Sequence, residues 1–113
     1  MAISDEHAKR GKTPRLSPAE VASLRGEVPG WAITPVDAHE ELRRTLTFED
    51  FNELWSFLNL VVALAVDEDH HPDFAVHYNR LDLVLWTHDA GGLTRNDFIV
   101  AARIAQLADQ LGF

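Results

Sequence analysis

Apolar residues recur along this chain with two different periods, and the switches between them mark out the elements. From Phe51 onward, Leu54, Trp55, Leu58, Val61, Val62 and Ala65 fall at helical spacing and make one broad apolar face. Thr47, with Asp50 three residues later, is expected to open this helix, and "VDEDHHP" to end it near Ala65. The period then drops to two. Leu81, Leu83, Leu85 and Thr87 share one face of a strand, while Asp82, Val84, Trp86 and His88 share the other. Phe74 to Asn79 reads as the hairpin partner of Leu81 to Thr87, with a tight turn near Asn79-Arg80.

Upstream, "SPAEVASLRGEVPGW" is a short helix written in capping signals. Ser17 is the N-cap, Pro18 suits the first helical position, Glu20 completes a capping box, and Pro29-Gly30 stop the helix. Trp31 to Ile33 and roughly Glu41 to Phe48 read as strands joined by "TPVDAHE". After the turn "GGLTRND", Thr94 and Asp97 form a third cap pair for a helix through Ala101, Ile104, Ala105 and Ala108. The order α-β-β-α-β-β-α predicts an α+β fold: a four-stranded antiparallel sheet with three helices packed on one face. Residues 1–14 lack periodicity and are expected to be a flexible N-terminal tail, leaving 15–113 as a single domain.

Composition removes several function classes. The 113 residues, 46% of them apolar, suffice for one core and exclude wholesale disorder. No apolar run approaches the roughly 18 residues that a membrane span needs. The opening "MAISDEHAKRGKTPRL" mixes acids and bases and is not expected to act as a secretory signal. The chain has no cysteine, hence no disulfide, thiolate nucleophile or thiolate zinc site, and a cytoplasmic setting is expected. Eighteen acids against ten bases give a formal charge of −8, the reverse of a phosphate-binding footprint. Lys9, Arg10, Lys12 and Arg15 read as solvated tail residues, and direct nucleic-acid binding is not expected.

Four of the six histidines lie between residues 70 and 88. Metal ligands on a strand sit two apart, and on a helix four apart, so that both face one ion. His70 and His71 are neighbours, and Pro72 makes His71 extended, so their rings point in opposite directions. No metal site is expected. No serine lies in a Gly-x-Ser-x-Gly elbow, and Gly91-Gly92 reads as a turn rather than a phosphate loop. Acid–base work suits imidazole, which titrates near neutrality. From spacing alone, an acid–base pair and a polar surface loop are equally good readings. His7, His39 and His77 read as structural.

The combined pattern is sharper. "HHP", five residues to Tyr78, nine more to His88 and eight more to Asp97, with "TH" and "GLT" in between, resembles the pterin-4a-carbinolamine dehydratase family. "LTFEDFNELWSFLNLVVALA" and the "GW" at 30 and 31 resemble the same family, and the likeness covers about residues 17–110. It implies an α+β fold, often assembled as homodimers or homotetramers. It also implies an activity: dehydration of 4a-hydroxytetrahydropterin to the quinonoid dihydropterin, which returns the cofactor of aromatic amino acid hydroxylases for reduction. No metal or organic cofactor is implied.

By the same resemblance, the active-site histidines are His70, His71 and His88, and the pterin-contacting stretches are His70-His71-Pro72 and Thr87, His88, Asp89 and Ala90. His70 and His88 are expected to form the acid–base pair, with His71 holding the pterin. Trp86, on the strand face of His88, reads as a subunit-contact residue outside the catalytic set, with stacking on the pterin as the alternative. The family usually carries an acid four positions before the first histidine. Val66 stands there, which implies weaker pterin binding. A second reading is a non-enzymatic binding or assembly module, since this fold is reused that way with other protein partners. The presence of all three histidines favours the enzyme.

Overall fold

The computed structural model describes residues 2–113. Its elements follow the expected order: α1 (Pro18–Leu24), β1 (Ala32–Val36), β2 (His39–Thr47), α2 (Phe51–Glu68), β3 (Asp73–His77), β4 (Arg80–Leu85) and α3 (Arg95–Leu111). The four strands form one antiparallel sheet in the order β1-β2-β4-β3, so β2 and β4 are central. Their register places Leu42 opposite Leu85 and Leu46 opposite Leu81. With Leu83 these leucines make one apolar layer, buried against Leu54, Phe57, Leu58 and Val61 of α2 and Phe98, Ala101 and Ile104 of α3. Burying each large side chain contributes about 1.5–3 kcal/mol, which fixes which face of the sheet the helices cover.

Local chemistry sets the boundaries. In α1 the capping box is closed: Ser17 Oγ accepts from the Glu20 N–H at 3.2 Å, and the Glu20 carboxylate accepts from the Ser17 N–H at 2.9 Å. Gly30 follows at φ +84°, where a Cβ would lie 2.8 Å from the Arg44 guanidinium. Glycine adopts this backbone without strain, whereas any other side chain would be strained there and would have to displace the guanidinium.

Several boundaries differ from expectation. The β1–β2 connection is a tight turn at Asp37-Ala38, because β1 continues through Pro35 to Val36. Proline is tolerated there because β1 is an edge strand. Thr47 ends β2 rather than capping α2; the N-cap is Asp50, whose carboxylate accepts from the Glu53 N–H at 2.8 Å. Helix α2 runs on to Glu68, where Asp69 at φ 50° turns the chain out. The β3–β4 turn falls at Tyr78-Asn79, one residue earlier than expected.

The segment expected to be a flexible tail is packed over residues 2–10. Ile3 is 2% exposed. The Glu6 carboxylate pairs with Arg95 at 2.8 and 2.6 Å, and the Lys9 N–H donates to Asn96 at 2.9 Å. Its side-chain partners lie 59 to 97 residues away, outside the reach of any local periodicity. Among the described residues, no helix is long and apolar enough to cross a membrane.

Candidate active site

Three segments meet beyond the ends of β3 and β4: the α2–β3 connection at 70–72, the 3-10 turn His88–Ala90, and the N-terminus of α3. Asp97, the third residue of α3, joins them. It is 0% exposed, yet both oxygens are satisfied. Oδ2 accepts from the Thr94 N–H at 2.9 Å and from the Thr87 hydroxyl at 2.7 Å, while Oδ1 lies 2.7 Å from His70 Nε2. A carboxylate buried this completely is stable only when so bonded, and the positive end of the helix dipole helps it.

The hydrogen-bond inventory fixes the tautomer of His70. The ionised carboxylate only accepts, so His70 Nε2 carries the hydrogen and Nδ1 is the ring nitrogen left free. The Thr87 hydroxyl gives its hydrogen to Asp97 and accepts from the Thr94 hydroxyl at 2.8 Å. A directed chain thus runs Thr94 to Thr87 to Asp97, with His70 donating to the same carboxylate. His70 itself is half-buried, and its backbone N–H donates to the Ala65 carbonyl at 3.1 Å.

The other expected residues are distributed around this chain. His71 is exposed and Pro72 leads into β3. Thr87 exchanges backbone hydrogen bonds with Gly92 at 2.9 and 3.3 Å, closing the short loop that carries His88, Asp89 and Ala90. His88 Nε2 lies 3.9 Å from the Asp73 carboxylate, both side chains being well exposed. The His88 ring stacks on the Trp86 indole with centroids 3.9 Å apart. The opposite indole face is taken by His39, at 3.8 Å and 13°. Both faces of Trp86 are therefore covered, so it does not offer the stacking surface for a pterin that its position on the strand had suggested.

His39, read from the sequence as structural only, is a member of this cluster. Its Nε2 lies 2.8 Å from Glu41 Oε2, and Arg43 grips Glu41 Oε1 at 2.7 and 3.0 Å. Burial alone pushes the Glu41 carboxyl up, but the hydrogen bonds from His39 and Arg43 outweigh it and hold it below the ordinary value. Asp97 had been legible as a cap partner and as the last member of the spaced pattern, though not as the anchor of His70. No local signal marks the His39–Trp86 contact, because it depends on the pairing of β2 with β4.

Val66 is 63% exposed on the outer side of α2. The buried acid near this point is Glu68, whose carboxylate engages His7 at 2.9 Å, the Ala8 N–H at 2.8 Å and Arg103 at 3.0 Å. It serves the N-terminal segment. Among the described residues, no group of three or more His, Cys, Asp or Glu is placed to hold a metal ion.

The family model for pterin 4 alpha carbinolamine dehydratase matches residues 14–107. The chain belongs to this family. Relatives include a provisionally named pterin-4-alpha-carbinolamine dehydratase of Xanthomonas campestris pv. campestris, 43% identical over 102 residues, which are 90% of this chain and 85% of that protein. A similarly named protein of Xanthomonas axonopodis pv. citri is 44% identical over the same spans. Among solved structures, a transcriptional coactivator/pterin dehydratase from Brucella melitensis superposes with a TM-score of 0.75 at 32% identity, covering 83% of this chain and 98% of that one. A pterin dehydratase-like RuBisCO assembly factor of the alpha-carboxysome superposes at 0.59, over 73% of this chain and 93% of its own. At 19% identity, that second likeness concerns the fold. The dehydratase family thus accounts for the four-stranded sheet and the helices.

Proposed function

We propose that the protein dehydrates 4a-hydroxytetrahydropterin to the quinonoid dihydropterin plus water, by histidine acid–base catalysis, in the cytoplasmic recycling of a tetrahydropterin cofactor. The observation that carries this reading is the His70–Asp97 hydrogen bond at 2.7 Å. It commits one ring nitrogen to a buried carboxylate and leaves the other with a lone pair. An exposed histidine placed only for solubility needs no such anchor.

The reaction breaks the C4a–O bond and needs two proton movements. The departing hydroxyl takes a proton to leave as water, and a ring nitrogen gives one up as the C=N bond forms. We assign the second step to His70 Nδ1, because the tautomer held by Asp97 presents a base there, and the imidazolium that forms is stabilised by the same carboxylate. Protonated His88 then supplies the first. Each transfer contributes roughly 10²–10⁴-fold. His71, Pro72 and the loop from Thr87 to Ala90 hold the pterin, and no metal or organic cofactor takes part. The subunits associate as homodimers or homotetramers through the outer side of α2, where Phe51, Trp55 and Val62 are exposed.

A stopped-flow assay with freshly generated 4a-carbinolamine tests the reading. The expected result is acceleration over the spontaneous dehydration. A rate equal to the spontaneous one overturns it, and favours the non-catalytic use of this fold with a protein partner.

A further inference from the structure

We propose that Trp86, backed by His39, is a positioning residue that sets the ring plane of His88; the inference rests on the acid–base reading above. His88 has little else to orient it. Its Nε2 is 3.9 Å from Asp73 Oδ2, beyond hydrogen-bond length, and the two side chains are 65% and 72% exposed. A contact of that kind is screened by water and tolerates many rotamers. The Trp86 indole, by contrast, lies parallel to the His88 ring to within 27° and 3.9 Å from it.

The indole is itself held from behind. His39 lies almost flat on its second face, and His39 is tied to Glu41, whose carboxylate is in turn gripped by two Arg43 nitrogens. Glu41 is 6% exposed, and its hydrogen bonds to His39 and Arg43 offset the cost of burying its charge. A continuous chain of hydrogen bonds and stacked rings therefore runs Arg43, Glu41, His39, Trp86, His88, from the middle of β2 to the histidine cluster. Its spacing follows from the sheet. His39, Glu41 and Arg43 alternate onto one face of β2, and Arg43 pairs with Val84, two residues before Trp86. Holding an imidazole in the plane from which it passes its proton saves the ordering cost that a free rotor meets in the transition state.

Trp86→Ala, Trp86→Phe and His39→Ala, made in the full chain, test the inference with two readouts. In NMR spectra, the indole ring current should shift the His88 ring protons of the unsubstituted protein upfield. Trp86→Ala should return them to the positions of a free imidazole, and Trp86→Phe should retain part of the shift. In the dehydration assay, Trp86→Ala should lower kcat about tenfold with little change in KM, since orientation acts in the transition state. Trp86→Phe should recover most of the loss, and His39→Ala should fall between the two. If Trp86→Ala does not fold, as judged by circular dichroism, the other two variants decide the matter. Unshifted His88 protons in the unsubstituted protein, or a kcat indifferent to all three substitutions, overturn the proposal. If the unsubstituted protein shows no dehydration, the functional reading falls, and the ring-proton shifts alone then decide whether Trp86 orders His88.

Discussion

Asp97→Asn is the most discriminating perturbation of this site. The replacement is nearly isosteric, and its carbonyl oxygen can keep the Thr94 N–H and Thr87 hydroxyl at the Oδ2 position. The amide nitrogen then replaces Oδ1, 2.7 Å from His70 Nε2. An amide nitrogen only donates, so Nε2 must become an acceptor and the imidazole hydrogen must move to Nδ1. The nitrogen assigned as the base is thereby blocked, and the carboxylate that stabilised the imidazolium is gone. The expected loss in kcat is roughly 10²–10⁴-fold, the range that one general acid–base residue supplies. Stability should fall less. Three charge-assisted hydrogen bonds become neutral, and with partial compensation the cost is about 2–3 kcal/mol, below the sum of three separate losses. Stopped-flow dehydration, run well below the melting temperature of the variant, measures the first quantity and thermal unfolding the second. A folded Asp97→Asn protein with kcat within about threefold of the original would refute both the tautomer argument and the role of His70 as base.

Further substitutions separate the remaining roles. His70→Ala and His88→Ala should each lower kcat at least about tenfold, whereas His71→Ala should act on KM, because a group that only holds the ring binds ground and transition states alike; EDTA should leave the unsubstituted rate unchanged, and a loss restored by zinc contradicts the metal-free account. Light scattering should show a dimer or tetramer that Trp55→Glu dissociates, and a monomer at micromolar concentration argues against association through α2. The Glu68 carboxyl is pushed up by burial but held below its ordinary 4.5 by the Ala8 N–H, His7 and Arg103. Its contribution to stability is therefore complete above that value and lost as the pH falls through the lower folded one, so Glu68→Gln should destabilise the protein at pH 7 and flatten its acid denaturation profile below 4.5. Val66→Glu should leave the melting temperature unchanged, because the side chain is 63% exposed. If the missing acid weakens pterin binding, the same variant should bind pterin more tightly, and unchanged affinity discards that role.

What could be read from the sequence depended on how far each interaction reaches along the chain. The core leucines at 81, 83 and 85 alternate within one strand, and Ser17 and Glu20 close a box three residues wide, so both were legible from local spacing. The boundaries moved where two local signals competed. Thr47 looks like a cap, but its backbone is needed in β2 opposite Arg80, and Asp50 takes the cap instead. Pro35 looks like a loop residue, yet an edge strand has a side with no ladder to break.

The candidate site divides along the same line. His70, His71 and His88 stand out by spacing, which says where imidazoles are but not which nitrogen is free. That depends on Asp97, 27 residues from His70, and on Thr87, ten residues from Asp97. It becomes readable only once the sheet and α3 are assembled. His39 is the extreme case: 47 residues before Trp86, in a polar stretch with no pattern of its own, it reaches the cluster solely because β2 pairs with β4. If the stack orders His88 as argued, the central strands do more than carry the site at their ends. Their register sets the angle of one of its two proton-transfer groups. Substitutions on the outer face of β2, such as Glu41→Ala, should then reach kcat without touching the pterin.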